Sequence, residues 1–251
     1  MFRVIFTQFQ AQLKMQHLKI YLITLLFSLL SFNAGSAPPP NFSVAKKLAA
    51  SIFNEHPKTL YCNCSYDRFK KIDLKSCGMQ EARRFKRAHR VEWEHMMPAE
   101  NFGRQFRCWR EKICRKKSGK TYRGRKCCQR INPQFRRAEG ELYNLWPSVG
   151  LVNQARSNYR FSPLPAKNGF FGCNMEIDKN NRKVDPNTIA RGIVARANLF
   201  MADKYKVRLS DSQRKLFNAW NKQYPPTTWE KKWAASVAKI EGYKNIYITG
   251  D

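Results

Sequence analysis

The chain has 251 residues, with 47 Lys+Arg against 18 Asp+Glu and a formal charge of +29. That surplus exceeds what solubility requires and excludes a merely soluble basic surface. It draws polyanions over long range, with an affinity that is salt-dependent and blind to sequence. DNA, RNA, lipopolysaccharide and anionic lipid all meet that description.

The N-terminal segment reads as a secretory leader. Lys14 and Lys19 flank Met15, Ile20 to Leu30 is an apolar core, and Ala34-Gly35-Ser36-Ala37 offers small residues for cleavage. Pro38 to Pro40 disfavour a cut directly before them, which places it after Ser36. A membrane anchor is the weaker reading, because the apolar core is shorter than the ~20 residues a spanning helix needs. Met15 competes with Met1 as initiator. Removing residues 1–36 takes away Arg3, Lys14 and Lys19 and no acid, leaving 44 Lys+Arg against 18 Asp+Glu, or +26. The remainder, 37–251, suits a single domain around one core.

In that mature part Val44, Leu48, Ala49 and Ile52 have helical spacing, predicting an amphipathic helix from Phe42 to Asn54 with Ser43 near its start. Tyr61 to Ser76 is cysteine-bearing and loop-like. Val91 and Trp93 alternate with Glu92 and Glu94, which predicts a short half-buried strand over Arg90–His95, ended by Pro98. Neighbouring strand residues face opposite ways, so Glu94 and His95 serve one site only if the strand ends or twists there. Residues 107–137 are basic and cysteine-rich and read as a loop that disulfides hold in place. Pro147, favoured in a first helical turn, predicts a helix through Val149, Val152 and Asn153 towards Ser157. Ile189, Ile193, Val194, Ala197, Phe200 and Met201 trace a helical stripe, and Ser210 with Gln213 caps another helix. Pro225-Pro226 precede a last helix bearing Trp233, Val237 and Ile240. The sum is an α+β fold, mostly helical with few strands.

Eight cysteines, at 62, 64, 77, 108, 114, 127, 128 and 173, all follow the leader. An even count in an exported chain predicts four disulfides, although eight cysteines allow 105 pairings. Cys127 and Cys128 are expected to pair outward. Structural zinc is the competing reading, but no CxxC pair stands at zinc-finger spacing and no histidine cluster adjoins the cysteines.

Among so many bases, acids recur as pairs at Glu92/Glu94 and Glu139/Glu141. A polyanion-binding surface gains nothing from carboxylates unless they hold a cation or pair with arginine. Mg²⁺ takes oxygen ligands, one or two carboxylates completed by phosphate and water, and Glu94 with an amide such as Asn153 would make such a site. Hydrolysis also needs a base near neutrality, usually histidine. His56, His89 and His95 are the three outside the leader, and His95 stands out because Glu94 precedes it and a proline turn follows.

The run Arg90-Val91-Glu92-Trp93-Glu94-His95-Met96-Met97-Pro98-Ala99 resembles the endonuclease I family of bacterial periplasmic and secreted nucleases. So do Tyr61-Cys62-Asn63-Cys64, Ser76-Cys77-Gly78, Ala99-Glu100-Asn101-Phe102-Gly103 and Gly124-Arg125-Lys126-Cys127. Tyr143-Asn144-Leu145-Trp146-Pro147, Gly150-Leu151-Val152-Asn153 and Arg156-Ser157-Asn158-Tyr159 continue the likeness, with a weaker tail from Trp229 to Asn245. The resemblance implies a ββα-metal core, braced here by disulfides, and cutting of DNA, often RNA too, with little sequence preference. It implies that His95 is the general base and that Glu94 and Asn153 hold Mg²⁺, for which Mn²⁺ or Ca²⁺ could substitute. It further implies that Glu139 orients metal-bound water and that Arg125 stabilises the phosphate, with 5′-phosphate and 3′-hydroxyl products.

Because Mg²⁺ needs few protein ligands, Asn144 and Glu141 read as structural or as supports behind the ligands, and Trp93, Trp146 and Tyr159 read as core. The protein is expected to be a monomer, exported to the periplasm or beyond, with no membrane span once mature. Its rival is a non-catalytic cationic binder of nucleic acid or membranes. Two departures from the family stand out: the very basic stretch Glu111–Arg137 with its adjacent cysteines, and Glu241-Gly242-Tyr243 where Gln-Gly-Asn is typical.

Overall fold

The computed structural model describes residues 37–250, so the leader and its expected cut after Ser36 lie outside the described residues. Helix α1 (Phe42–Phe53) comes first. Its cap is Asn41, whose side chain accepts from the Val44 amide at 3.1 Å, two residues before the Ser43 that the sequence pointed to. Ala45, Ala49 and Phe53 bury its inner face. A turn-rich segment crossed by isolated bridges leads to strand β1 (Val91–His95). Then come α2 (Ala99–Gly103), α3 (Arg107–Arg110), the hairpin β2 (Cys114–Arg115) and β3 (Thr121–Tyr122), α4 (Arg125–Ile131) and α5 (Pro133–Glu139). The stretch read as a loop therefore holds short helices and a hairpin. Cys108–Cys128 and Cys114–Cys127 cross-link it, so neighbouring Cys127 and Cys128 do pair outward.

Next in the chain is β4 (Leu145–Val149), followed by α6 (Gly150–Arg156). The helix expected to start at Pro147 starts instead at Gly150, and Pro147 lies within a strand, opposite Trp93. Proline fits because β1 and β4 form a two-stranded antiparallel sheet, in which each strand has a free edge. The Pro147 carbonyl accepts from the Leu60 amide at 2.8 Å. Gly150 lets α6 begin hard against β1: a Cβ there would lie 2.7 Å from the Arg87 carbonyl oxygen and 3.0 Å from Glu92 Oε1. Strands β1 and β4 with α6 thus form a ββα frame.

Three short strands, β5 (Arg160–Phe161), β6 (Glu176–Asp178) and β7 (Lys183–Asp185), make a small sheet with β7 in the middle. Helices α7 (Thr188–Lys204), α8 (Asp211–Gln223), α9 (Thr228–Glu241) and α10 (Ile246–Thr249) complete the described chain. Ser210 caps α8 through the Gln213 amide, as the spacing predicted. Helix α7 is buried nearly all round, whereas Ile189, assigned to its apolar stripe, is 60 % exposed. An aromatic cluster joins the layers: the Phe53 ring lies 4.9 Å from Trp146, Trp146 lies 4.8 Å from Trp233, and Tyr143 lies 4.9 Å from Phe200. A buried ion pair, Arg196 to Glu230, ties α7 to α9.

Cys62–Cys173 and Cys64–Cys77 complete four disulfides, and no described cysteine is free. Cys62–Cys173 spans 111 residues, a closure for which the chain-entropy account gives about 4–5 kcal/mol. The fold is α+β, mixed and disulfide-braced, and no helix among the described residues is long and apolar enough to cross a membrane.

Candidate active site

Strand β1 stops at His95, and the chain bends through Met96 and Met97 before Pro98. Asn144 fixes that bend: its side chain accepts from the Met97 amide at 2.6 Å and donates to the Met97 carbonyl at 3.0 Å. Because the strand ends there, Glu94 and His95 line the same cleft rather than opposite faces. The cleft, about 640 Å³, is also lined by Asn153 from α6, Arg125 from the start of α4, and Phe42 and Trp109. Four of the five residues singled out for chemistry meet in it.

His95 is 7 % exposed, and its Nε2 lies 2.9 Å from the Glu139 carbonyl oxygen. That carbonyl can only accept, so Nε2 carries the proton and Nδ1 keeps its lone pair. Burial pushes the imidazole down to about 3, helped by the nearby Arg125 and Arg156 charges and opposed by the bond to Glu139. The ring is neutral at pH 7, with its single proton on Nε2. Phe42 lies against it, with centroids 4.7 Å apart.

Glu94 is 2 % exposed. The Tyr61 hydroxyl donates to its Oε1 at 2.7 Å, and the equally buried Arg156 approaches the same oxygen at 3.1 Å. Burial raises its carboxyl above the usual range, against the pull of Arg156 and Tyr61. Glu92 behaves oppositely: although burial pushes it up, Arg87 and Arg90, at 2.7 and 2.8 Å, hold it below that range. Glu92 is thus spoken for by arginine, while Oε2 of Glu94 has no hydrogen bond among the described residues.

Asn153 directs its Nδ2 to the Trp93 carbonyl at 3.4 Å, which leaves Oδ1 as the free acceptor. Glu94 Oε2 and Asn153 Oδ1 are a hard oxygen pair suited to Mg²⁺ completed by water and phosphate. Among the described residues there is no group of three or more His, Cys, Asp or Glu that could hold a metal.

Glu139 stands one layer behind. Its carboxylate is 1 % exposed and accepts from Arg125 Nε at 2.5 Å and Gln129 Nε2 at 2.8 Å, and it does not line the cleft. It meets the site through its carbonyl on His95 and through Arg125, whose side chain is 42 % exposed to the cleft side. Tyr61, Arg156, Gln129 and Phe42 escaped the sequence reading. Tyr61 and Arg156 each open a run that resembles the family, which was their one available signal. His56 stacks on Trp229 and His89 bonds the Arg83 carbonyl, both away from the cleft.

The β1–β4 ribbon and α6 thus bring carboxylate, imidazole and amide together in one cleft. Residues 43–251 match the family model for endonuclease I. The chain is 39 % identical over 212 residues to an extracellular deoxyribonuclease of Aeromonas hydrophila, covering 82 % of this chain and 88 % of that one. It is likewise 39 % identical to a periplasmic deoxyribonuclease of the same organism, over 82 % and 84 % of the two chains. It is also 38 % identical to an endonuclease-1 of Buchnera aphidicola subsp. Baizongia pistaciae, over 83 % and 82 %. The chain belongs to the endonuclease I family and is a nuclease.

Proposed function

We propose that the protein is an exported, monomeric endonuclease that hydrolyses phosphodiester bonds of DNA, and of RNA, with Mg²⁺ and His95 as general base. The observation that carries this reading is His95, anchored through Nε2 to the Glu139 carbonyl with Nδ1 open, in one cleft with Glu94, Asn153 and Arg125. Relatives named as extracellular or periplasmic deoxyribonucleases support the substrate and the export.

Glu94 and Asn153 would hold the ion, and Mn²⁺ or Ca²⁺ could substitute for it. Held there, the ion would supply positive charge to offset the negative charge that develops at the phosphate. His95 Nδ1 takes a proton from the attacking water. Burial first, and then the Arg125 charge, lowers the basicity of the free imidazole, and a phosphodiester anion beside Arg125 would offset the second of these. Arg125 meets the phosphate as negative charge develops, and Glu139 with Gln129 aims it. In this reading Glu139 positions Arg125 and His95 instead of touching water at the ion. Attack on phosphorus breaks the P–O3′ bond, and the departing 3′ oxygen takes a proton from solvent, leaving 5′-phosphate and 3′-hydroxyl ends.

The test is degradation of plasmid DNA by purified mature protein, with Mg²⁺ and with excess EDTA, followed by end-group analysis. Cleavage that EDTA abolishes, giving ends that ligase accepts, is expected. Tight binding without cleavage would make the protein a cationic binder, and EDTA-resistant cleavage would remove Mg²⁺ from the scheme.

A further inference from the structure

A second cavity, about 650 Å³, adjoins the cleft and shares Pro98, Glu100, Arg156 and Asn158 with it as a common wall. Exposed cations enter it from four separate places in the chain: Arg104 after α2, Arg160 on β5, Arg182 and Lys183 at the start of β7, and Arg208 between α7 and α8. Glu100 is the acid lining it, and that carboxylate is already held by Arg104 and by the Asn158 amide. Arg182 is drawn inward, donating to Asn158 Oδ1 at 2.6 Å and lying over the Tyr159 ring at 5.5 Å. The register of the small sheet sets Arg160 directly beside Lys183.

Like charges converging on a concave surface repel one another, and a concavity focuses their field. Glu100 offsets Arg104 alone by direct pairing, and among the described residues Arg160, Arg182, Lys183 and Arg208 have no acidic partner. A bound polyanion would offset the repulsion among them. Continuity with the cleft decides which polyanion: a backbone whose scissile phosphate sits at Arg125 and His95 has this groove as its neighbour across the Asn158 wall.

Resting on the nuclease reading, we infer that the groove of Arg104, Arg160, Arg182, Lys183 and Arg208 is a subsite for the nucleic-acid backbone flanking the cut. It grips phosphates next to the scissile one and takes no part in the chemical step. Tyr159, half-buried in the wall, lies under Arg182 and lines the same groove.

The test compares two triple variants of the full mature protein. One is Arg160→Gln/Lys183→Gln/Arg208→Gln in the groove. The other is Lys116→Gln/Lys117→Gln/Lys120→Gln in the β2–β3 hairpin, which removes equal charge but lines neither cavity. All substituted side chains are exposed, and thermal melts confirm folding. Two readouts are taken: kcat and KM on a long duplex, and the salt dependence of duplex binding in a His95→Ala background, where DNA stays intact. The groove variant is expected to raise KM about tenfold with kcat unchanged and to lower the slope of log Kd against log salt by about 2–3, near 0.9 per lost phosphate contact. The hairpin variant should change both by less than a third as much. Equal shifts in the two variants would reduce the groove to bulk charge, and a fall in kcat at constant KM would move it into the chemistry. If the parent fails to cleave DNA, the nuclease reading fails, while the binding slopes still judge the groove.

Discussion

Glu94 is a carboxylate almost without water, held by the Tyr61 hydroxyl and Arg156 on one oxygen. Those two partners fix its direction, so they should set how well the centre binds a cation. Glu94→Ala and Asn153→Ala are each expected to raise the Mg²⁺ concentration for half-maximal cleavage and to lower the rate, since each removes one oxygen from a small set. Tyr61→Phe should raise that concentration about 10–100-fold, as loss of a ligand's supporting hydrogen bond usually does. Lys116→Ala should leave it unchanged. A magnesium titration of initial rate at fixed ionic strength checks all four, and an Asn153→Ala curve overlying that of Lys116→Ala would make Asn153 a plain helix-surface amide. At this scale Glu94 and His95 stood out as adjoining residues, while Asn153 and Arg125 were singled out through the family resemblance, and all four line one cleft. Tyr61 and Arg156 were not legible in the sequence, because their roles exist only when segments 33 or more residues apart fold together.

Among the elements, α4 is the one most dependent on covalent support. It carries Arg125 at its first turn, and Cys108–Cys128 and Cys114–Cys127 hold it to α3 and the cationic hairpin. Complete reduction is therefore expected to abolish cleavage while weak, charge-driven DNA binding survives. Alkylation mass analysis beside an activity assay checks this, and full activity with all thiols alkylated would contradict it. Pro147 shows why elements were less legible than residues. Proline reads as a helix start or a strand breaker, and only the unpaired edge of a two-stranded ribbon admits it.

The tail contains a second dependence on conditions. Tyr243 Oη lies 2.7 Å from Glu141 Oε2 and 2.9 Å from Glu241 Oε2, and one hydroxyl proton cannot serve both carboxylates. Burial, then the facing Glu241, pushes Glu141 up to about 7, with Tyr243, Tyr205 and Arg137 pulling the other way. The folded state thus holds a proton that the unfolded chain releases near 4.5. This contribution to stability is fully present below about 4.5 and is lost as pH rises through about 7. Glu241→Gln removes the rivalry, so the stability gap between parent and variant should move in the variant's favour across that window. Denaturant midpoints at several pH values measure it, and a gap that stays constant would mean the two carboxylates do not share a proton.

For the whole molecule, attraction and chemistry are separable. Charge spread over the surface gathers DNA, and it acts at long range whether or not any one side chain is present. In the proposed mechanism, bond breaking depends on one imidazole whose Nε2 is committed to a carbonyl and whose Nδ1 is free. The most direct measurement is therefore cleavage rate and filter binding of His95→Ala on the same preparation. Cleavage should fall by at least about 10²–10⁴-fold, the usual worth of a general base, with DNA affinity close to that of the parent. A His95→Ala protein that cuts DNA at near the parent rate would contradict the account.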